Sequence, residues 1–223
     1  MKQTPVHDSH NPDLLKLMPH DAKRVVEIGC SSGALAREYK NNNPDCFYIG
    51  VEIDEEYAGL AKRYCDEVYT GNIETIDNET WNKLAAADCF VFGDTLEHLQ
   101  DPWKVLKRIR SCIPLTGSIV CCVPNAQHWS LQVRLNIGHF RYEESGLLDK
   151  THLRWFTRQT LIELFFDTGF VVNHIQPRIF KEPQRDNFIE LLKLISKRAG
   201  VNPDEAGRDA IPLQYVFIAN PKI

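Results

Sequence analysis

Short, continuous apolar runs alternate along this chain with runs whose apolar residues recur at helical spacing. Arg24–Gly29, Cys46–Ile53, Asp88–Gly93 and Gly117–Val123 are rich in β-branched, aromatic and cysteine side chains. That is the pattern of strands covered on both faces. Amphipathic runs follow them at Ala34–Lys40, from Glu55 to Tyr64 and from Pro102 to Cys112. The last of these opens on Asp101-Pro102, a capping carboxylate followed by proline at the first helical position, and turns Val105, Leu106, Ile109 and Ile113 to one side. Glu67–Thr70 reads as a short strand. Thr157 caps a helix carrying Leu161, Leu164 and Phe165 that stops at Gly169. Phe170–Ile175 reads as a strand, Phe188–Ser196 as a helix ended by Gly200, and Gln214–Ala219 as a final strand. Strands alternating with helices imply right-handed crossovers and a mostly parallel sheet with helices on both faces. Ligands of such sheets lie at the carboxyl ends of the strands, near the point where strand order reverses.

Composition narrows the class without changing that picture. A chain of 223 residues, 43% hydrophobic and 25% charged, has the make-up of one globular domain with an appendage. Its formal net charge of −4 argues against a protein held to nucleic acid by charge, so no nucleic-acid partner is expected. The seven cysteines form no C-x-x-C pair, and most sit inside apolar runs, where they act as small buried hydrophobes. Reduced thiols and a cytoplasmic location are expected. The first residues, Met1-Lys2-Gln3-Thr4-Pro5, lead into polar sequence rather than an apolar signal core, and no stretch has the length of a membrane span.

Chemistry concentrates at the predicted strand ends. In Val25-Val26-Glu27-Ile28-Gly29-Cys30-Ser31-Ser32-Gly33-Ala34 a strand runs into a glycine-containing turn that opens a helix, so backbone N–H groups can face a ligand closely. The spacing is E-x-G-x-x-x-G, because Ser31 and Ala34 stand where a dinucleotide fingerprint needs glycine. Glu52, at the end of the next strand and about 20 residues on, is placed to accept hydrogen bonds from ribose hydroxyls.

Together with Gly71-Asn72-Ile73-Glu74 and Asp94-Thr95-Leu96-Glu97-His98-Leu99, these segments resemble the class I S-adenosylmethionine-dependent methyltransferases. The fourth-strand segment is similar to the L-E-H-L-x-D-P form of ubiquinone-type O-methyltransferases. The resemblance runs in order from about residue 22 to 125 and more loosely to the end. It implies a Rossmann-like, doubly wound α/β fold with a seven-stranded, mostly parallel sheet and an antiparallel last strand. It further implies S-adenosylmethionine as cofactor and S-adenosylhomocysteine as product, bound by Glu27, Gly29, Ser31, Gly33, Glu52, Ile53, Asn72, Ile73 and Asp94. Ser31 departs from the usual glycine of the turn, and Asn72 from a commoner aspartate.

Methyl transfer to a hydroxyl needs an in-line approach and a group that takes the proton. His98 lies just past the fourth strand, on the ligand-binding edge. Residues 126–156, about thirty positions, separate the fifth strand from the Thr157 helix, beyond ordinary connection lengths. This segment is mostly unpatterned, with a short helix expected over Ser130–Asn136. It holds Arg134, Arg141, Lys150 and Arg154 against Glu143, Glu144 and Asp149, and it carries Trp129, Phe140, Tyr142 and Trp155. That mixture suits an inserted lid over an acceptor. His128, His139 and His152 within it are alternative bases to His98. Leu148-Asp149-Lys150-Thr151-His152-Leu153 resembles a segment of methyltransferases from glycan and secondary-metabolite pathways.

The chain is thus expected to be one methyltransferase domain over 1–223, with a cofactor half at 22–125, a lid at 126–156 and a completing half at 157–223. Its acceptor is expected to be a small molecule of glycan, quinone or secondary-metabolite type, methylated on oxygen, with nitrogen or carbon and a homodimer left open. No metal is expected, since Pro124-Asn125-Ala126 after the fifth strand supplies no carboxylates. The segment after the fourth strand lacks the N/D-P-P-Y/F element of nucleic-acid amine methylation. A nicotinamide dehydrogenase is disfavoured by Ser31. A catalytically silent binding domain is the remaining alternative.

Overall fold

The computed structural model describes residues 8–223. Seven strands, β1 Arg24–Ile28, β2 Phe47–Glu52, β3 Glu67–Thr70, β4 Cys89–Gly93, β5 Ser118–Pro124, β6 Phe170–Arg178 and β7 Gln214–Pro221, form one sheet in the order β3-β2-β1-β4-β5-β7-β6. Strands β1 to β5 are mutually parallel, and β7 lies antiparallel between β5 and β6. This is the expected Rossmann-like methyltransferase sheet. Strand order reverses between β1 and β4, which opens a crevice at their carboxyl ends.

Alternation along each strand divides the core in two. Val26, Ile28, Phe90 and Phe92 pack with α4 (Asn78–Leu84), α5 (Pro102–Arg110) and α7 (Arg158–Asp167) on one face. Val25, Tyr48, Val91 and Cys122 pack with α1 (Pro12–Leu17), α2 (Ala34–Asn42) and α3 (Glu55–Ala61) on the other. Residues 89–92 of β4 are fully buried, which accounts for their unbroken apolar run. The remaining helices, α6 (Trp129–Asn136), α8 (Arg185–Arg198) and α9 (Pro203–Asp209), share a small separate cluster around Ile189, Leu192 and Ala210.

Helices α1, α4 and α9, six or seven residues long, each bury only one or two residues, too few to mark a 3.6-residue period. Their caps are nevertheless ordinary: Asn11, Asp77 and Asn202 each accept backbone N–H groups of the first turn. Strand β6 continues past Ile175 to Arg178, although Gln176-Pro177 reads as a stop. It is an edge strand, where proline is tolerated, and a bulge between Val172 and His174 adjusts its register.

The ends of the 126–156 segment meet. The Ala126 N–H donates to the Phe156 carbonyl at 2.8 Å, beside a bridge between Asn125 and Phe156. Asn125 is fully buried and donates through Nδ2 to the carbonyls of Asp209 and Pro212, each at 2.8 Å. The segment therefore leaves and rejoins the sheet at one anchored point. Among the described residues no helix is long and apolar enough to cross a membrane, and all seven cysteines are unbridged.

Candidate active site

The crevice at the carboxyl ends of β1, β2 and β4 is a cavity of about 640 Å³. Its floor is the turn after β1. Gly29 takes φ +75°, and a Cβ there would lie 2.5 Å from Thr95 Oγ1. Only glycine fits such a position without strain. Ser31 (φ 48°) and Asp94 (φ 54°) are the two non-glycine residues with positive φ among the described residues, and both line the cavity. Each such conformation costs about 1–2 kcal/mol. Tertiary bonds hold them there: the Ser31 N–H donates to Glu52 Oε2 at 2.8 Å, and the Asp94 N–H to the Cys122 carbonyl at 3.0 Å. Asp94 Oδ1 also accepts from Gln214 Nε2 and, at 3.4 Å, from Cys122 Sγ.

Carboxylates surround this floor. Glu52 is buried, and its second oxygen accepts the Asp54 N–H at 3.0 Å. Glu27 accepts the Tyr48 hydroxyl at 2.9 Å. Burial pushes the Glu27 carboxyl up to about 8, against the lowering effect of that hydrogen bond and with a smaller push from Glu52. Ile53, Asn72 and Ile73 line the adjoining wall, where Asn72 Oδ1 accepts the Glu74 N–H at 2.9 Å. Gly33 does not line the cavity. Its φ is +78°, and a Cβ would lie 3.0 Å from the Ala61 Cα, so it lets α2 start close against α3.

The opposite wall joins the turn after β4 to the 126–156 segment. Leu153 and Arg154 donate their N–H groups to the Glu97 carbonyl at 2.8 and 2.9 Å. His98 and His152 both line the cavity, with ring centroids 4.8 Å apart in an edge-on arrangement. His98 Nδ1 lies 3.2 Å from the Thr151 carbonyl and 3.1 Å from the Thr151 hydroxyl, whose own proton goes to Asp149, and His152 Nδ1 lies 3.3 Å from the Leu147 carbonyl. A carbonyl can only accept, so each Nδ1 carries the proton and each Nε2 keeps its lone pair. Burial lowers the basicity of both rings, and in His152 the neighbouring His98 lowers it further. Glu97, on the same wall, is 1% exposed. Burial pushes its carboxyl well above the usual range, and the nearby Asp94 adds to this.

His128 lies elsewhere. It is fully buried at the start of α6, with Nδ1 2.8 Å from Ser130 Oγ and Nε2 3.2 Å from Glu182 Oε2, outside the residues that line the cavity. His139 is also outside them. Glu97 belongs to the fourth-strand motif, yet nothing in the sequence marks it as buried. The lid residues Asp149 and Thr151, and Ser9, His10, Asn11 and Leu14 on the α1 side, reach the cavity only through the tertiary fold.

A family model described as a methyltransferase domain matches residues 9–175. The chain belongs to the methyltransferase-domain family. The motif resemblance implies S-adenosylmethionine as the methyl donor. The cavity suits that donor: strained backbone frames its floor, and a buried carboxylate stands at the end of β2 where ribose hydroxyls need an acceptor. Among solved structures, an S-adenosylmethionine-dependent methyltransferase from Listeria monocytogenes aligns over 95% of this chain and 97% of its own, with TM-score 0.63 and 15% identity. Magnesium protoporphyrin IX methyltransferase from Synechocystis, solved with S-adenosylhomocysteine, aligns over 89% and 74%, with TM-score 0.56 and 12% identity. Both likenesses concern the fold. Among curated proteins, a tRNA (guanine-N(7)-)-methyltransferase of Clostridium beijerinckii is 34% identical over 77 residues, 34% of either chain. The ribosomal RNA small subunit methyltransferase A of Campylobacter fetus subsp. fetus is 29% identical over 86 residues, 36% of this chain and 31% of that one. The methyltransferase domain thus spans about a third of the length of the curated relatives it matches.

Proposed function

We propose that this methyltransferase domain transfers the methyl group of S-adenosylmethionine to a hydroxyl oxygen of a small acceptor bound beneath the 126–156 segment. The observation that carries this reading is the wall of Glu97, His98 and His152 on the cavity, opposite the Glu52 end. The cofactor supplies an electrophilic methyl on a sulfonium. The chain's own groups do the rest. Glu52 holds ribose hydroxyls, Asn72 and Ile73 flank the base, and Glu27, Gly29, Ser31 and Asp94 shape the pocket for the amino-acid end. Two neutral imidazoles with free Nε2 atoms stand where an acceptor hydroxyl gives up its proton. The lid at 126–156 excludes water, between a cofactor half at 22–125 and a completing half at 157–223. A reducing compartment such as the cytoplasm agrees with the unbridged thiols.

The named relatives favour a second reading, methylation of an RNA base. Two features weigh against it: the chain carries a formal charge of −4, and two of the lid cations are already paired, Arg134 with Glu143 and Lys150 with Glu144. Transfer of tritiated methyl separates the readings. Label in hydroxylated quinols or glycosides, with none in a tRNA transcript, is the expected result. Label in the transcript alone overturns the small-acceptor reading.

A further inference from the structure

Glu97 sits in a single 3₁₀ turn, Leu96–His98, directly after β4. It is buried, and neither of its side-chain oxygens has a hydrogen-bond partner. A carboxyl group in that condition costs several kcal/mol unless something else satisfies it. Beside it, His152 Nε2 lies 3.9 Å from Glu97 Oε1. Glu97, His98 and His152 present donor atoms within 4.8 Å of one another. Ion–ligand bonds of roughly 2.0–2.2 Å ask for donor separations of about 3.5 Å, so the side chains must draw in by about an ångström to close on an ion.

The surroundings of the two imidazoles are those that orient metal ligands. Each gives its Nδ1–H to a main-chain carbonyl, which fixes the tautomer and aims a lone pair from Nε2. Behind His98, the Thr151 hydroxyl donates to Asp149 Oδ1 at 2.7 Å, and the Thr151 N–H donates to the same oxygen at 2.8 Å. A carboxylate therefore stands in the outer layer as well. We propose that Glu97, His98 and His152 form a binding site for one divalent transition-metal ion, with its open positions facing the cavity. Two imidazoles and one carboxylate suit zinc, manganese or iron(II) rather than calcium or magnesium, which prefer all-oxygen shells.

The role of the ion rests on the proposed transfer to oxygen, although the site itself does not. An acceptor hydroxyl bound to the ion loses its proton to solvent more readily. Methyl transfer then forms the O–C bond as the S–C bond breaks, and the electron pair stays on sulfur. With the ion bound, the Nε2 lone pairs hold the metal instead of taking the proton directly, and the proton leaves through water. The expectation of no metal considered the end of β5; these donors come from the end of β4 and the lid.

The test uses the full chain after chelation and dialysis, with Co²⁺ followed by visible absorption and Zn²⁺ as competitor. One equivalent of Co²⁺ with a d–d band, displaced by Zn²⁺, is expected. Glu97→Gln and His152→Ala should each weaken Co²⁺ binding at least tenfold, while calorimetry shows S-adenosylhomocysteine binding within twofold of wild type. The retained cofactor binding separates loss of the site from loss of the fold. Sub-stoichiometric Co²⁺ in the wild type, or equal binding in both variants, overturns the site. Stoichiometric metal without label in any hydroxyl acceptor leaves the site standing and overturns the proposed function. Undiminished hydroxyl methylation by metal-free protein that takes up no Co²⁺ does the reverse.

Discussion

The Glu52 carboxylate accepts the backbone N–H of Ser31 at 2.8 Å, joining the end of β2 to the strained turn after β1. One side chain thereby stabilises the left-handed backbone of Ser31 and faces the cavity proposed to take the cofactor. Glu52→Ala should abolish measurable binding of S-adenosylhomocysteine. Glu52→Gln should weaken it by about 10- to 100-fold, since hydrogen bonds to a charged group contribute roughly 1.5–3 kcal/mol. Isothermal calorimetry checks both, and wild-type affinity in Glu52→Ala would remove Glu52 from the cofactor site.

Gly29→Ala should destabilise the fold by about 2–4 kcal/mol, combining the cost of positive φ with the clash against Thr95 Oγ1. Adding Thr95→Ala should restore only the steric part, because the backbone cost remains. Chemical denaturation of the single and double variants measures the split. Full recovery in the double variant would show that φ contributes nothing.

His98→Ala should leave S-adenosylhomocysteine affinity within about twofold while lowering methyl transfer by roughly 10²–10⁴, whether His98 takes the proton itself or holds the ion that acidifies the hydroxyl. Calorimetry and turnover on the same preparation make the comparison. Unchanged turnover would leave His98 only its contacts to Thr151 of the lid.

His128→Ala should behave in the opposite way. Losing the Ser130 and Glu182 contacts of a fully buried ring should cost about 1–3 kcal/mol, with kcat/KM preserved wherever the protein stays folded. Thermal melting and turnover below the transition decide this. A catalytic loss without destabilisation would bring His128 to the reacting atoms.

Glu27 makes stability depend on pH. Its folded value of about 8 lies above its ordinary 4.5, so the native state keeps a proton that the unfolded chain releases. That contribution is complete below pH 4.5, declines as the pH rises, and is lost by about pH 8. Glu27→Gln cannot ionise, so its melting temperature should fall less than that of wild type across this window. Parallel curves would show that Glu27 titrates normally.

The strand-end wall of the cavity was legible in the sequence because its parts are local. Strand, turn and helix follow within ten residues of Val25, and Glu52 ends the next strand. Gly33 shows the limit of such a reading. The motif spacing marks it as cofactor-binding, whereas its surroundings are Ala61 and the start of α2. Ser31 shows it differently: the departure from glycine is tolerated because Glu52 fixes the backbone from another strand.

The reversed last strand is what the family resemblance implies, whereas from the sequence pattern follow the alternation of strands and helices, the mostly parallel sheet and the glycine turn after β1. These depend on hydrophobic period and on turns within a few residues. The tertiary structure alone decided which histidines meet. His98 and His152 belong to segments far apart in the chain. They come together because the lid rejoins the sheet at Asn125 and Phe156 and donates back to the Glu97 carbonyl. The same contacts bury the Glu97 side chain without a partner, a condition set by packing and invisible to any local pattern.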